Sequence, residues 1–232
     1  MVLAAHAVSS HSELDLVRTV ASLASERPIF HSEADFQHAL AWTIHDARAS
    51  AVVRLELPRE IGGHRAHVDI WIVETGERIA LELKYLTRKV DAVVGDEHFR
   101  LRDQGAQDLG RYDVLKDLVR IEALVAAGEA DRGYVIALTN DSSFWKAPTA
   151  LSSPNYAAFR LVEGRDLGGA LAWGPATGAG TMKGREAPIV LRASYQCKWT
   201  DYSDLGSTAR YGRFRYLLFG YPAPSSVCDP RS

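Results

Sequence analysis

HVDIWIVETGERIALELKY, residues 67 to 85, alternates apolar and polar side chains on either side of a short Glu74-Thr75-Gly76-Glu77 break. Two β-type runs around a Gly-containing turn predict a hairpin. With Thr75 and Gly76 as the central turn residues, Glu74 pairs with Glu77, Ile72 with Ile79, Ile70 with Leu81 and Val68 with Leu83. One face is then apolar at every step, and a one-residue slip would destroy that consistency. On the other face the same walk sets Asp69 opposite Glu82 and His67 opposite Lys84. Like charges at directly opposed positions repel. Either water screens them on an ordinary solvated face, or a divalent cation with a preference for oxygen ligands sits between the carboxylates.

The chain around this hairpin is long enough, at 232 residues, to bury a substantial core in one large domain. A hydrophobic share of 47% and a charged share of 24% place it among ordinary globular proteins. No run of eighteen apolar residues and no basic, then apolar, leader is visible, so no membrane span or secretory signal is expected, and the cytoplasm is the expected location. Cys197 and Cys228 lack zinc-type spacing and are expected as free thiols. The formal net charge of −2 means that any nucleic-acid binding must rest on a local basic surface.

Outward from the hairpin the elements alternate. Residues 12 to 27 predict a helix with Ser12 and Asp15 as a capping pair, ended by Pro28. Residues 32 to 49 predict a second, capped by Ser32. Residues 51 to 61 read as a strand, 91 to 102 as a polar connection, 104 to 127 as a long helix and 133 to 140 as a buried strand. The Gly-rich stretch 174 to 188 lacks the order of a phosphate-binding P-loop. Residues 188 to 202 and 213 to 222 are strand candidates that extend or cover the sheet. The expected architecture is α/β, a mixed central sheet flanked by helices, with an α-β-β-β-α-β core over residues 30 to 140. Residues 1 to 29 form an N-terminal helical segment, and residues 141 to 232 a C-terminal elaboration packed on the core.

Asp69, a gap of twelve residues, then Glu82-Leu83-Lys84, in this element order, resembles the PD-(D/E)XK nuclease superfamily, with its restriction-endonuclease-like fold. The residue before Asp69 is Val68, where the superfamily's name has proline. The resemblance implies that Asp69 and Glu82, with the backbone carbonyl of Leu83, hold magnesium or manganese, and that Lys84 orients or activates the attacking water. It implies a further site residue on the helix before the sheet, where Glu33 matches by position, with Gln37 one turn along. A Glu in a first helical turn also has a purely structural use, because it complements the helix dipole. From the long helix, Gln104 is the residue expected to reach the site.

A helical wheel of that long helix assigns Asp113, Lys116, Asp117 and Arg120 to solvent and Tyr112, Leu115, Leu118, Val119 and Val125 to the core. Gln104, Asp108, Arg111 and Glu122 fall in the apolar arc, and Asp108 with Arg111 is expected as an i, i+3 pair. His67 is left outside the catalytic set. The function expected is metal-dependent hydrolysis of phosphodiester bonds in DNA, Arg65, Arg88, Lys89, Arg100, Arg102 and Arg111 being the nearest candidates for phosphate contacts. The alternatives are a non-cutting domain of the same fold that binds nucleic acid or a protein partner, and an α/β protein whose charged hairpin is merely solvated. The sequence leaves the oligomeric state open, with a homodimer among the options.

Overall fold

Thr75 and Gly76 adopt φ of 49° and 88°, the left-handed pair that lets a two-residue turn match the twist of its strands. In this computed structural model, which describes residues 14 to 148, 155 to 206 and 209 to 222 (and only the backbone of His64), the turn joins β2 (His64–Glu74) to β3 (Glu77–Leu86). Glu74 faces Glu77, Ile72 faces Ile79 and Ile70 faces Leu81, as the sequence predicts. The ladder stops there. The expected Asp69–Glu82, Val68–Leu83 and His67–Lys84 pairs do not form, and the Asp69 carboxylate instead accepts the Leu83 amide at 2.6 Å.

The cause lies on the other side of β2. β1 (Val52–Ile61) pairs antiparallel with it, and the pairing is interrupted only at Glu56, whose φ is +50°, opposite Asp69. Side chains change face across that interruption. Val53, Leu55, Ile70 and Ile72 pack into one core, whereas Leu57, Ile61 and Val68 pack into the other. Val68 therefore leaves the apolar face to which strict alternation assigns it.

Six strands form the central sheet in the order β1-β2-β3-β6-β10-β9. β6 (Arg132–Thr139) runs parallel to β3, while β10 (Arg213–Tyr221) is antiparallel to β6 and β9 (Trp199–Asp204) antiparallel to β10. The sheet is mixed, and the C-terminal strands extend it. Helices α1 (Leu16–Glu26) and α2 (Glu33–Ala47) cover one face, burying Leu16, Val20, Leu23, Phe36, Leu40 and Ile44. The other face is covered by α3 (Gln107–Ala126) and, beyond it, the hairpin of β7 (Asp166–Leu171) and β8 (Ile189–Gln196). The α2-β1-β2-β3-α3-β6 succession is the expected core.

Local details depart from the sequence reading in places. Asp15 caps α1 as expected, accepting the Arg18 amide, and its expected partner Ser12 lies outside the described residues. Ser32 caps α2 as expected. The connection after β3 holds a further hairpin, β4 (Val90–Val94) and β5 (Glu97–Leu101), because Val90, Phe99 and Leu101 are apolar enough to be buried within its polar sequence. α3 begins at Gln107, three residues later than predicted. The Gly-rich stretch contains a single turn of helix, α4 (Ala179–Met182). Cys197 is a buried free thiol, and Cys228 lies outside the described residues. No described helix is long and apolar enough to cross a membrane.

Candidate active site

The parting of β2 from β3 opens the backbone where Asp69, Glu82 and Lys84 stand. Three elements supply side chains to the gap: α2 gives Glu33 and Gln37, the hairpin gives the Asp/Glu/Lys set, and α3 gives Asp117 and Arg120. Gln37, buried in an otherwise apolar helix face, donates to the Asp69 carbonyl at 2.6 Å and to Glu56 Oε1 at 2.7 Å. That amide occupies the break in the β1–β2 ladder and fixes the backbone that carries Asp69.

Lys84 is the centre of the ion network. Its ammonium lies 2.7 Å from Asp117 Oδ2 and 3.9 Å from Glu33 Oε1, and it donates to the Leu83 carbonyl at 2.9 Å. Burial alone would lower its pKa, but Asp117, Glu33 and Asp69 together reverse that and hold it above its ordinary value. Lys84 is thus a fixed cation at neutral pH. Leu83 contributes only backbone to the site, its amide to Asp69 and its carbonyl to Lys84.

Glu82 is 1% exposed, and Arg120 Nη2 approaches its Oε1 to 3.0 Å. The guanidinium N–H groups are directed elsewhere, to the His67 carbonyl at 2.6 Å and Asp117 Oδ1 at 2.9 Å. Glu82 Oε1 and Asp117 Oδ2 therefore accept no directed hydrogen bond although a cation touches each. Burial first, and then Asp117 and Asp69, raises the Glu82 pKa far above the usual carboxylate range against the opposing pull of Arg120 and Lys84. Burial likewise raises Asp69 and Glu33, whose hydrogen bonds from the Leu83 and Tyr85 amides oppose the shift without cancelling it.

Four of the five expected side chains, Asp69, Glu82, Lys84 and Glu33, thus meet in one place. Gln104 does not. It is exposed before the start of α3, where its side chain accepts the Thr87 amide at 3.4 Å and its own amide bonds the Thr87 carbonyl. Asp117 and Arg120 are the residues that the helical wheel assigned wrongly to solvent. Asp117 is buried on the sheet side of α3, because β7–β8 covers the outer side and leaves only part of the helix, such as Lys116, exposed. The Asp108–Arg111 pair is also corrected. Arg111 donates to Ser143, and Asp108 Oδ1 accepts the Leu109 amide. Glu122, the other polar residue of the apolar arc, is fully buried and satisfied by the Arg192 and Ala193 amides and the Tyr195 hydroxyl of β8.

Carboxylate oxygens and a backbone carbonyl are the ligand types that hard divalent cations take. In the arrangement present, Arg120 and Lys84 stand against those oxygens, and among the described residues no three His, Cys, Asp or Glu side chains converge closely enough to hold a metal. No family model matches the chain, and neither the curated proteins nor the solved structures give a significant match.

Proposed function

We propose that this chain is a metal-dependent nuclease of the PD-(D/E)XK type, hydrolysing phosphodiester bonds in DNA with magnesium or manganese. The observation that carries the reading is the convergence of Asp69, Glu82, Lys84 and Glu33 at the point where β2 and β3 part. Asp69, Glu82, Glu33 and Asp117 crowd together with two cations among the described residues, Lys84 and Arg120, and a divalent ion would take the place of the protons that this crowding favours on the carboxyl groups. Asp69, Glu82 and the Leu83 carbonyl are the groups that would hold it. When bound, such an ion neutralises charge on the phosphate and makes water a better nucleophile at neutral pH.

The remaining work falls to this chain's own residues. Lys84, fixed as an ammonium beside the Leu83 carbonyl, stabilises negative charge developing on the phosphate and orients the attacking water. Its raised pKa makes it unsuited to the role of general base. Glu33, half exposed at the rim with its pKa raised, is suited to accept a proton from that water.

One observation favours the non-cutting alternative. Arg120 on Glu82 and Lys84 on Asp117 already form a partly neutralised network. A plasmid-nicking assay with magnesium or manganese decides between the two. Wild type is expected to nick, Asp69→Asn to lose cleavage while keeping its fold, and Lys84→Ala to lose cleavage while the metal still raises its melting temperature. A wild type that neither cleaves nor is stabilised by either metal leaves the non-cutting reading.

A further inference from the structure

A second concentration of charge, of opposite sign, lies beyond the carboxyl ends of β3 and β6. A cavity of about 510 Å³ is lined there by Arg88, Arg111, Lys146 and Arg160, with Asp141 its only acidic wall residue. That is three positive charges in excess, inside a chain whose formal net charge is −2. Arg111 is the anomaly among them. It is 4% exposed, its Nε is buried without a hydrogen-bond partner, and among the described residues no carboxylate comes within ion-pair distance of it. Its guanidinium lies over the Phe144 ring at 4.5 Å and the Tyr156 ring at 5.4 Å, and Nη2 is tied to the Ser143 carbonyl at 2.7 Å. Burial lowers its pKa, the mark of a charge removed from water without an anion to balance it.

Arg160 lies over the same Tyr156 ring, 5.8 Å from its centre, and neither it nor Lys146 forms an ion pair among the described residues. Arg88 is held at the cavity edge by Asp103 at 3.1 Å, Asp141 at 3.8 Å and Tyr211 at 3.5 Å, which balances its charge. Gln107, the first residue of α3, also lines the wall, which adds the positive end of a 20-residue helix. Aromatic and hydrogen-bonding partners hold Arg111 and Arg160 in place without an anion, so the uncompensated charge of the cavity is that of Arg111, Arg160 and Lys146.

We propose that this cavity is a binding site for a phosphate group, and that the phosphate is a monoester, whose two negative charges offset most of the local excess. Planar guanidinium groups suit tetrahedral oxyanions because they donate two parallel hydrogen bonds. The volume accommodates a nucleotide rather than phosphate alone. Arg111 precedes Asp117 on α3 by six residues, roughly 9 Å at about 1.5 Å per residue. That spacing is short enough for a strand whose phosphate occupies this cavity to reach the candidate active site, and this last point rests on the nuclease reading. The phosphate site itself does not.

The test measures binding in EDTA at constant ionic strength, so that no cleavage is needed. Titrations of the full chain use inorganic phosphate, a nucleoside monophosphate and single-stranded oligonucleotides ending in 5′-phosphate or 5′-hydroxyl. Wild type is expected to bind phosphate and to be stabilised by it more than by chloride. Lys146→Gln with Arg160→Gln is expected to weaken that binding at least tenfold with an unchanged melting temperature in phosphate-free buffer. Lys146→Gln alone, on an exposed side chain, serves if the pair does not fold, with a loss of about threefold. A preference for the 5′-phosphorylated strand that disappears in the variants assigns the site to nucleic-acid ends. Equal affinity for both strands, with phosphate bound, assigns it to a free phosphate compound. No phosphate binding by wild type, or equal binding by wild type and variants, overturns the proposal. Phosphate binding by a protein that never cleaves removes the nuclease reading alone.

Discussion

Glu82 carries a carboxyl group buried against Asp117 and Asp69 with Arg120 alongside. A carboxyl whose pKa is higher in the folded than in the unfolded chain binds more protons when folded. Its favourable contribution is then complete below the unfolded value of about 4.3 and is lost as pH climbs toward the folded value. Without divalent metal, wild type should therefore lose stability relative to Glu82→Gln as pH rises above about 4.5. The limiting slope is about 1.4 kcal/mol per pH unit for one proton. Urea unfolding of both proteins across pH 5 to 9 measures it, on the order of one proton's linkage. Magnesium should reverse the loss in wild type and leave Glu82→Gln unmoved, since a cation replaces the proton only where a carboxylate can form. Parallel pH profiles would mean that Arg120 keeps Glu82 ionised throughout. The residue types at this site were legible in the D…ExK spacing. Glu56 and Gln37 as its backbone support were not, because a positive φ at a glutamate and a break shared by two strands leave no periodic trace.

α3 shows how a helix covered on two sides defeats a wheel drawn for one. Its inner side meets β3 and β6, while its outer side meets β8 through Glu122, so apolar and polar residues are distributed around most of its circumference. The strands, by contrast, were readable because β3 alternates around its Gly-containing turn and β6, buried on both faces, carries a continuous apolar run. α3 packs closely on the sheet at Gly133, where an added Cβ would stand 2.5 Å from Ile121 Cγ2 and 3.3 Å from the Ala80 carbonyl oxygen. Gly133→Ala should cost about 1–3 kcal/mol by overpacking. It should also reduce any cleavage, because Asp117 and Arg120 ride on the turn next to Ile121. Combining it with Ile121→Ala removes the clashing methyl, and this double variant should recover alignment of the site more than it recovers stability. Denaturant midpoints and the nicking assay together check both halves. An unchanged midpoint for Gly133→Ala would show that α3 shifts along β6 at little cost.

Across the whole molecule the charge is distributed against expectation for a DNA-binding protein, with a net charge of −2 and little long-range attraction for a polyanion. Under the proposed function, DNA binding would then have to come from a few well-placed cations. Of the six basic residues nearest the hairpin in sequence, Arg111 is buried and Arg88 is engaged with Asp103. Lys89, Arg100 and Arg102 remain exposed, without ion pairs among the described residues, on and beside the β4–β5 hairpin. That hairpin is anchored next to Glu33: His31 stacks on Phe99 at 4.3 Å and bonds Glu97 at 2.8 Å. The hairpin that carries these cations thus contacts the chain two residues before Glu33. Each phosphate contact on duplex DNA steepens the dependence of log affinity on log salt by about 0.9. Lys89→Glu, Arg100→Glu and Arg102→Glu together, in an Asp69→Asn background that prevents cleavage, should weaken duplex binding and flatten that slope by about 2.7. The slope is the decisive quantity, because affinity alone also falls if the hairpin merely unfolds. A fluorescence-anisotropy titration over a range of salt concentrations, with melting temperature as the control for folding, reads both. A variant that binds duplex DNA with the wild-type slope excludes the β4–β5 hairpin as the phosphate-contacting surface and moves the search to Arg65 and the opposite rim.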